Sequence, residues 1–186
     1  FHTIEPNEVY GSPQLSPSDL KKKIKAHNIR AIINLRGTMP TSPWYQDEVR
    51  IASEMNVSHC SVPLSSKYLP FRKEFCQVLE ALESSPKPVL IHCQSGIDRT
   101  GFLTILYMLL NKDEVTPENV LNQLPLWRGH LSWRKSYHTK KLFLRYYRRW
   151  LDRQQLSHTP EHFRQWASDH YCDRIAREVN KQVNEL

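Results

Sequence analysis

Cys93 and Arg99, separated by five residues, are the pair in this sequence whose types and spacing could break a bond. They lie in Val89-Leu-Ile-His-Cys-Gln-Ser-Gly-Ile-Asp-Arg-Thr-Gly101, where an apolar run ends in His92-Cys93 and a helical run starts at Arg99-Thr100. A cysteine thiolate is a nucleophile, and a helix N-terminus with an adjacent cation can lower its pKa from ~8.5 by one to several units. Arg99 offers a planar fork of donors that matches two oxygens of a phosphate, which the point charge of a lysine could not reproduce. The backbone N–H groups of Gln94, Ser95, Gly96, Ile97 and Asp98, followed by a helix start carrying roughly +0.5 of partial charge, make a cradle for a tetrahedral dianion. Gly96 and Gly101 permit close approach, and Thr100 would place a hydroxyl beside the sulfur. The competing reading is a buried core cysteine and an ordinary helix-start arginine. His, Gly, Asp, Thr and Gly at fixed places in a strand-turn-helix setting weigh against it.

Such a turn needs a strand to deliver it and a helix to leave by. Pro88 to Ile91 reads as a buried strand and Phe102 to Leu110 as a strongly apolar helix, with residues 93–99 as the turn. Upstream, Phe1 to Tyr10 suits a small antiparallel pair at a sheet edge, left at Tyr10-Gly-Ser12. Ser16-Pro17-Ser-Asp19 has the serine cap, proline and acid of a helix start, and that helix runs to about His27. Arg30 to Leu35 and Val57 to Val62 read as strands. Between them, Pro43 to Met55 has helical spacing, with Trp44, Glu48, Ile51, Ala52 and Met55 on neighbouring turns. Leu64 to Pro70 is a loop and about Phe71 to Glu83 a helix. Downstream, Thr116-Pro117-Glu118 opens a short helix to about Leu124, Leu126 to Trp133 is a loop, and Tyr137 to about Gln155 is helical. Phe143, Tyr146, Tyr147 and Trp150 of that helix point inward, with Arg145, Arg148 and Arg149 interleaved. Arginines among aromatics can stack on bases, but aromatics at helical spacing more often pack a core. Thr159-Pro160-Glu161 opens one last helix carrying Phe163, Trp166, Ala167, His170, Ile175 and Val179. Strand-helix alternation implies parallel pairing, with ligands at the carboxyl ends of the strands.

The Cys-x5-Arg loop in this context resembles the protein tyrosine phosphatase superfamily. Tyr10-Gly-Ser-Pro-Gln-Leu-Ser-Pro17, Ile33-Asn-Leu-Arg-Gly37 with Trp44-Tyr45, and Pro63-Leu-Ser-Ser66 resemble its bacterial atypical dual-specificity members, over about residues 2–150. The resemblance implies an α/β fold: a central mostly parallel sheet flanked by helices on both faces, with extra C-terminal helices. It implies Cys93 as nucleophile, Arg99 as the phosphate-binding and charge-stabilising group, and residues 94–100 as the binding loop. Thr100 then helps the cysteinyl phosphate break down, and His92 orders the loop from behind. Many members carry a general-acid Asp on a separate loop, here the one after Pro63, but Leu64 to Phe71 holds no carboxylate. Asp98 is the replacement, as acid or merely as a pin for the loop, with Asp47 and Glu48 as distant reserves. Arg36 and Lys67 are candidate rim contacts, a surface salt bridge being the plain alternative for Arg36. Lipid-directed relatives often have Lys where this chain has Ile97, which lowers the phosphoinositide reading.

Composition bounds the rest. At 186 residues and 39% hydrophobic content the chain can bury one sizeable core, and the expected division is a phosphatase domain over 1–157 with a helical extension over 158–186 packed on it. The net charge of +7 suits an acidic ligand, whether phosphate ester, nucleic acid or anionic membrane, or simply a solvated basic surface. The four cysteines have no C-x-x-C pair, so no metal site, cofactor or disulfide framework is expected. No run of ~20 apolar residues occurs. The chain starts at Phe1 without Met, which leaves the expected compartment open: cytoplasmic or, if a signal or anchor was removed, periplasmic, membrane-tethered or secreted. The expectation is a monomeric hydrolase of phosphotyrosine, and of phosphoserine or phosphothreonine, through a phosphocysteine. A phosphoinositide or inositol phosphate hydrolase is the alternative, and a phosphate-binding pseudoenzyme a remote one. Partners are then a phosphorylated protein or lipid and the phosphate ion, without nucleic acid.

Overall fold

The computed structural model describes residues 1–124 and 135–185, which leaves the loop expected over Leu126 to Trp133 outside the described residues. The chain divides into two units, Phe1–Leu64 with Gln77–Thr100, and Ser65–Cys76 with Gly101–Leu186.

The first unit is built on a five-stranded sheet in the order β1-β2-β5-β3-β4. Its strands are β1 (His2–Glu5), β2 (Val9–Ser12), β3 (Ala31–Asn34), β4 (Ser58–Ser61) and β5 (Val89–His92). β1 pairs antiparallel with β2, and every other pairing is parallel. Only β1 is the edge of the expected antiparallel pair. Tyr10 to Ser12 stay in the sheet, because β2 is also bonded to β5 and is buried along its length. β3 and β5, read as unbroken apolar runs, are likewise buried throughout, as strands covered on both faces must be.

Helix α1 (Pro17–His27) starts as its sequence dictates: Ser16 Oγ accepts from the Asp19 N–H, and Pro17 occupies the first position. Asn28 ends it in the left-handed region. Helix α2 (Pro43–Glu54) follows β3. Leu20 and Ile24 of α1, Ile51 and Ala52 of α2, and Tyr10, Ile32 and Leu90 of the sheet form one buried cluster. Burying a Leu or Ile side chain contributes about 1.5–3 kcal/mol, so this layer holds the strand ends in register.

In the second unit an aromatic cluster does the same work. Phe75 stacks on Tyr171 at 3.8 Å between centroids, and Phe143 meets Phe102, Phe163 and Trp166 edge-on. Helix α5 (Lys135–Gln154) buries Phe143, Tyr147 and Trp150, so these aromatics pack a core and the interleaved Arg145, Arg148 and Arg149 stay outside. Tyr146 departs from the expectation: it is half-buried, its hydroxyl bonded to Glu178. The last helix is two, α6 (Pro160–Asp169) and α7 (Asp173–Asn184). Tyr171 turns inward between them to donate to the Pro70 carbonyl at 2.6 Å, and His170 is left exposed. α7 also fastens the segment after Ser65, since Asn180 exchanges two hydrogen bonds with the Leu69 backbone. After Thr116 there is only a 3-10 turn, Val120–Gln123, in place of a short helix. The Asn119 side chain accepts from the Thr116 N–H and donates to the Glu114 carbonyl, competing with the helical pattern.

Helix α3 (Arg72–Ser84) precedes β5, and α4 (Asp98–Asn111) follows the Cys93 loop. α4 begins earlier than its apolar run suggests. The turn is therefore residues 93–97, and Asp98 sits in the first helical turn, where the positive end of the helix favours an acid.

Candidate active site

β2, β5 and β3 run parallel with Ser12, His92 and Asn34 level at their carboxyl ends. Three connections therefore leave the sheet side by side: Pro13-Gln14, Cys93-Gln94 and Leu35-Arg36. They are stitched together, since the Gln14 N–H donates to the Gln94 carbonyl at 3.1 Å and the Leu35 N–H to the His92 carbonyl at 2.9 Å.

Cys93 is 1% exposed, and its sulfur accepts from the Gly96 N–H at 3.2 Å and from the Thr100 hydroxyl at 3.3 Å. Burial pushes its thiol up, but the Thr100 hydroxyl and N–H, the Arg99 charge and the Gly96 N–H together hold it below the ordinary thiol value. A thiol held down in this way is a nucleophile. Gly96 is required twice. Its φ is +72°, and a Cβ there would stand 2.6 Å from the Pro13 nitrogen and 2.7 Å from the Ser12 carbonyl carbon. Gln94 and Ser95 are exposed on the outer turn, and Ile97 is half-buried.

Arg99 donates through Nη1 to the Leu35 carbonyl at 3.2 Å, which holds the guanidinium beside the loop, while its buried Nε has no hydrogen-bond partner among the described residues. Arg36, the next residue after Leu35, lies on the same side. Its guanidinium is 3.7 Å above the Trp44 ring and donates to Gln14 Oε1 at 3.1 Å. Burial and the charge of Arg99 push the Arg36 guanidinium down, against the pull of Glu48 and the Cys93 thiolate. The turn that presents Arg36 is built by Asn34, whose Oδ1 accepts from the Arg36 N–H while its amide donates to the Gly37 carbonyl and Ser61. Arg36 is thus held by a stack and an amide, and no salt bridge to it is found among the described residues.

Cys93, Arg99, Thr100, Arg36 and His92 are brought together, and Asp98 opens α4 beside them, half-buried. Lys67 stands outside the unit that carries these residues in sequence. It belongs to the second unit, where its carbonyl accepts from the Thr139 hydroxyl.

Glu48 is no distant reserve. It is 3% exposed, and its Oε1 lies 2.9 Å from His59 Nε2 and 3.0 Å from His92 Nε2. Gln14 Nε2 donates to its Oε2 at 2.7 Å. Burial alone would raise this carboxyl, but hydrogen bonds from His59, His92 and Gln14 and the charge of His92 bring it down to about 2. A group so held is a standing anion and no proton donor. Asp47, its neighbour, is half-exposed in a pair with Arg50 at 2.7 Å. The signal for Glu48 was in the sequence: a carboxylate on the same helical stripe as Trp44, Ile51 and Ala52, where a charge must find partners. His59 and Gln14 carried no such signal. Among the described residues no group of three or more His, Cys, Asp or Glu side chains could hold a metal ion.

This architecture is found elsewhere. The core catalytic domain of the PP-IP phosphatase SIW14 from S. cerevisiae, in complex with citrate, superposes with a TM-score of 0.58 at 17% identity over 83% of this chain and 91% of that one. PTPMT1 superposes with a TM-score of 0.58 at 14% identity, over 82% of this chain and 98% of that one. These likenesses are of fold, and the mostly parallel sheet with its helices is the Cys-based phosphatase fold. By sequence, the RNA/RNP complex-1-interacting phosphatase of Rattus norvegicus is 28% identical over 129 residues, 66% of this chain. The chain spans only 38% of that relative's length. A profile of the dual-specificity phosphatase catalytic domain matches residues 13–148, a span that contains the Cys93 loop, Gln14, Arg36 and Glu48 alike, and the chain therefore belongs to the dual-specificity phosphatase family.

Proposed function

We propose that this chain hydrolyses phosphomonoesters of tyrosine, and of serine and threonine, through a phosphocysteine on Cys93. The observation that carries the reading is the Cys93 sulfur, buried, held down in pKa, and met by the Gly96 N–H and the Thr100 hydroxyl on the loop that also carries Arg99. The sulfur attacks phosphorus in line with the ester oxygen. The P–O bond breaks, the ester oxygen takes a proton from Asp98, and the phosphoryl group stays on sulfur. Arg99 and the loop N–H groups hold the three equatorial oxygens, where charge accumulates. Water then attacks phosphorus, passes a proton to Asp98, and releases phosphate as the S–P bond breaks. The Thr100 hydroxyl stabilises the departing thiolate. His92 takes no proton in this scheme; it sits behind the loop on Glu48. The test is turnover of phosphotyrosine and phosphoserine peptides, sensitive to vanadate, insensitive to EDTA, and abolished in Cys93→Ser. Turnover near the wild-type level in that variant would refute the nucleophile. Arg99→Lys should cost on the order of 10²-fold in kcat/KM.

One observation favours a second reading. Arg36 is a second guanidinium beside the loop, oriented by Trp44 and Gln14, and suited to a further phosphate on the same substrate. The solved neighbours include a PP-IP phosphatase, so inositol phosphates and phosphoinositides belong in the substrate panel. If they are the substrates, Arg36→Ala lowers their kcat/KM far more than that of p-nitrophenyl phosphate. Equal losses on both would leave the phosphopeptide reading alone.

A further inference from the structure

The Glu48 carboxylate collects three donors from three separate stretches of chain, two of them tied to the Cys93 loop. His92 immediately precedes Cys93, and its Nδ1 lies 3.4 Å from the Cys93 carbonyl. Gln14 holds the Gln94 carbonyl through its backbone and Arg36 through its side-chain oxygen. His59 comes from β4 and has Tyr45 edge-on against its ring. Charged groups near this cluster are Arg36, Arg99 and the Cys93 thiolate.

An ionised carboxylate only accepts hydrogen bonds, and this fixes the protons around it. His92 and His59 must each carry hydrogen on Nε2. Gln14 must turn its NH2 to Glu48, so its oxygen faces Arg36, a group that only donates. The orientation of the amide, and with it the anchoring of Arg36, follows from the charge at position 48. An amide there could satisfy the two histidines with its oxygen, but its NH2 would then face Gln14. Gln14 would have to turn its own oxygen inward and present NH2 to the Arg36 guanidinium, donor against donor.

We propose that Glu48 is a positioning residue for the phosphatase reaction, acting through His92 on the Cys93 backbone and through the Gln14 amide on Arg36. This rests on the reading of Cys93 as the phosphate site, and the experiment separates the two. Four proteins are compared, the wild type, Glu48→Gln, Gln14→Glu and the double variant, by p-nitrophenyl phosphate turnover and by calorimetric titration with inorganic phosphate. Cys93→Ser serves as the control for turnover. Near-UV circular dichroism and a cooperative melt normalise each to its folded fraction.

Glu48→Gln is expected to lose about tenfold or more in kcat/KM and in phosphate affinity, the scale on which misplaced supports act. Gln14→Glu sets two carboxylates face to face and is expected to lose as much. In the double variant the carboxylate now at position 14 accepts from both Arg36 and the amide now at position 48. The oxygen of that amide accepts from both histidines, so every bond is restored with the charge moved to the other side of the pair. Recovery to within about threefold of wild type supports the relay. A role confined to stability gives no such recovery, and a double variant as impaired as the singles overturns the proposal. So does a Glu48→Gln protein within about threefold of wild type. If Glu48→Gln does not fold, Gln14→Met at the half-exposed end reads the same relay: phosphate affinity should fall about tenfold, and unchanged affinity overturns it. If the wild type shows no Cys93-dependent turnover, the functional reading fails, and the phosphate titrations alone judge the relay.

Discussion

Replacing Thr100 by valine removes one hydroxyl and little volume, which isolates its contribution to the Cys93 thiolate. The hydroxyl donates to the sulfur at 3.3 Å inside a site where the sulfur is 1% exposed. A hydrogen bond to a charged group contributes about 1.5–3 kcal/mol, and a long bond to sulfur belongs at the low end. Since about 1.4 kcal/mol corresponds to one pKa unit, the Cys93 pKa should rise by about one unit in Thr100→Val. It should move only a few tenths in Thr100→Ser, which keeps the donor. The assay is the rate of iodoacetamide alkylation against pH, followed on the Cys93 peptide by mass spectrometry, because Cys76 is exposed and will also react. Stability should follow the same group. A folded-state pKa below the unfolded one makes the unfolded chain bind more protons in between, so stability rises with pH from the folded value up to about 8.5, the unfolded value. That rise should be lost in Cys93→Ser and reduced in Thr100→Val. An alkylation midpoint in Thr100→Val within about 0.3 units of wild type, or an equal shift in Thr100→Ser, would refute the hydroxyl as a cause of the lowered pKa.

Gly96→Ala should lower the melting temperature and cut turnover by about 10²-fold, because the left-handed backbone costs ~1–2 kcal/mol and the new methyl can be relieved only by moving the loop away from Ser12 and Pro13. Intact turnover would mean that the loop has slack. Asp98→Asn should cost roughly 10²-fold on alkyl phosphates while sparing aryl esters, whose leaving groups need little protonation, and it should flatten the basic limb of the pH profile. Equal losses on both ester types, with weaker phosphate binding, would assign Asp98 to holding the loop. Tyr171→Phe should destabilise the chain by about 1–3 kcal/mol in urea unfolding, since it leaves the Pro70 carbonyl buried without its donor; a change under ~0.5 kcal/mol would show that the bond contributes nothing net.

What the sequence made legible was local. The Ser16-Pro17 cap and the apolar strands β3 and β5 each encode their conformation within a few residues, and the structure has each of them. What stayed hidden depends on partners far along the chain. Glu48 reaches Gln14 34 positions back and His92 44 positions ahead, and no type or spacing in the sequence pairs it with either. At the break between α6 and α7 Tyr171 bonds to Pro70, 101 positions away, a contact that no helical periodicity contains. Thr116-Pro117 looked like a helix start, and Asn119 diverted it by bonding the backbone itself. The start of α4 has no periodic signal, because Asp98 to Gly101 carry no apolar stripe, although an acid in the first turn suits the helix dipole there.

The guanidinium of Arg36 lies flat against Trp44, and this gives the protein an optical reporter of its own chemistry. Indole emission responds to the field of a charge held a few ångströms from its ring, here 3.7 Å from the centroid. Trp150 and Trp166 are buried in the aromatic core of the second unit, away from any such charge contact among the described residues. Keeping Trp44 while converting the other four tryptophans to phenylalanine would leave one fluorophore beside the phosphate site. An anion arriving beside Arg99 that draws Arg36 off the ring then changes the colour and intensity of that one residue, so occupancy could be followed in real time without a label or a chromogenic substrate.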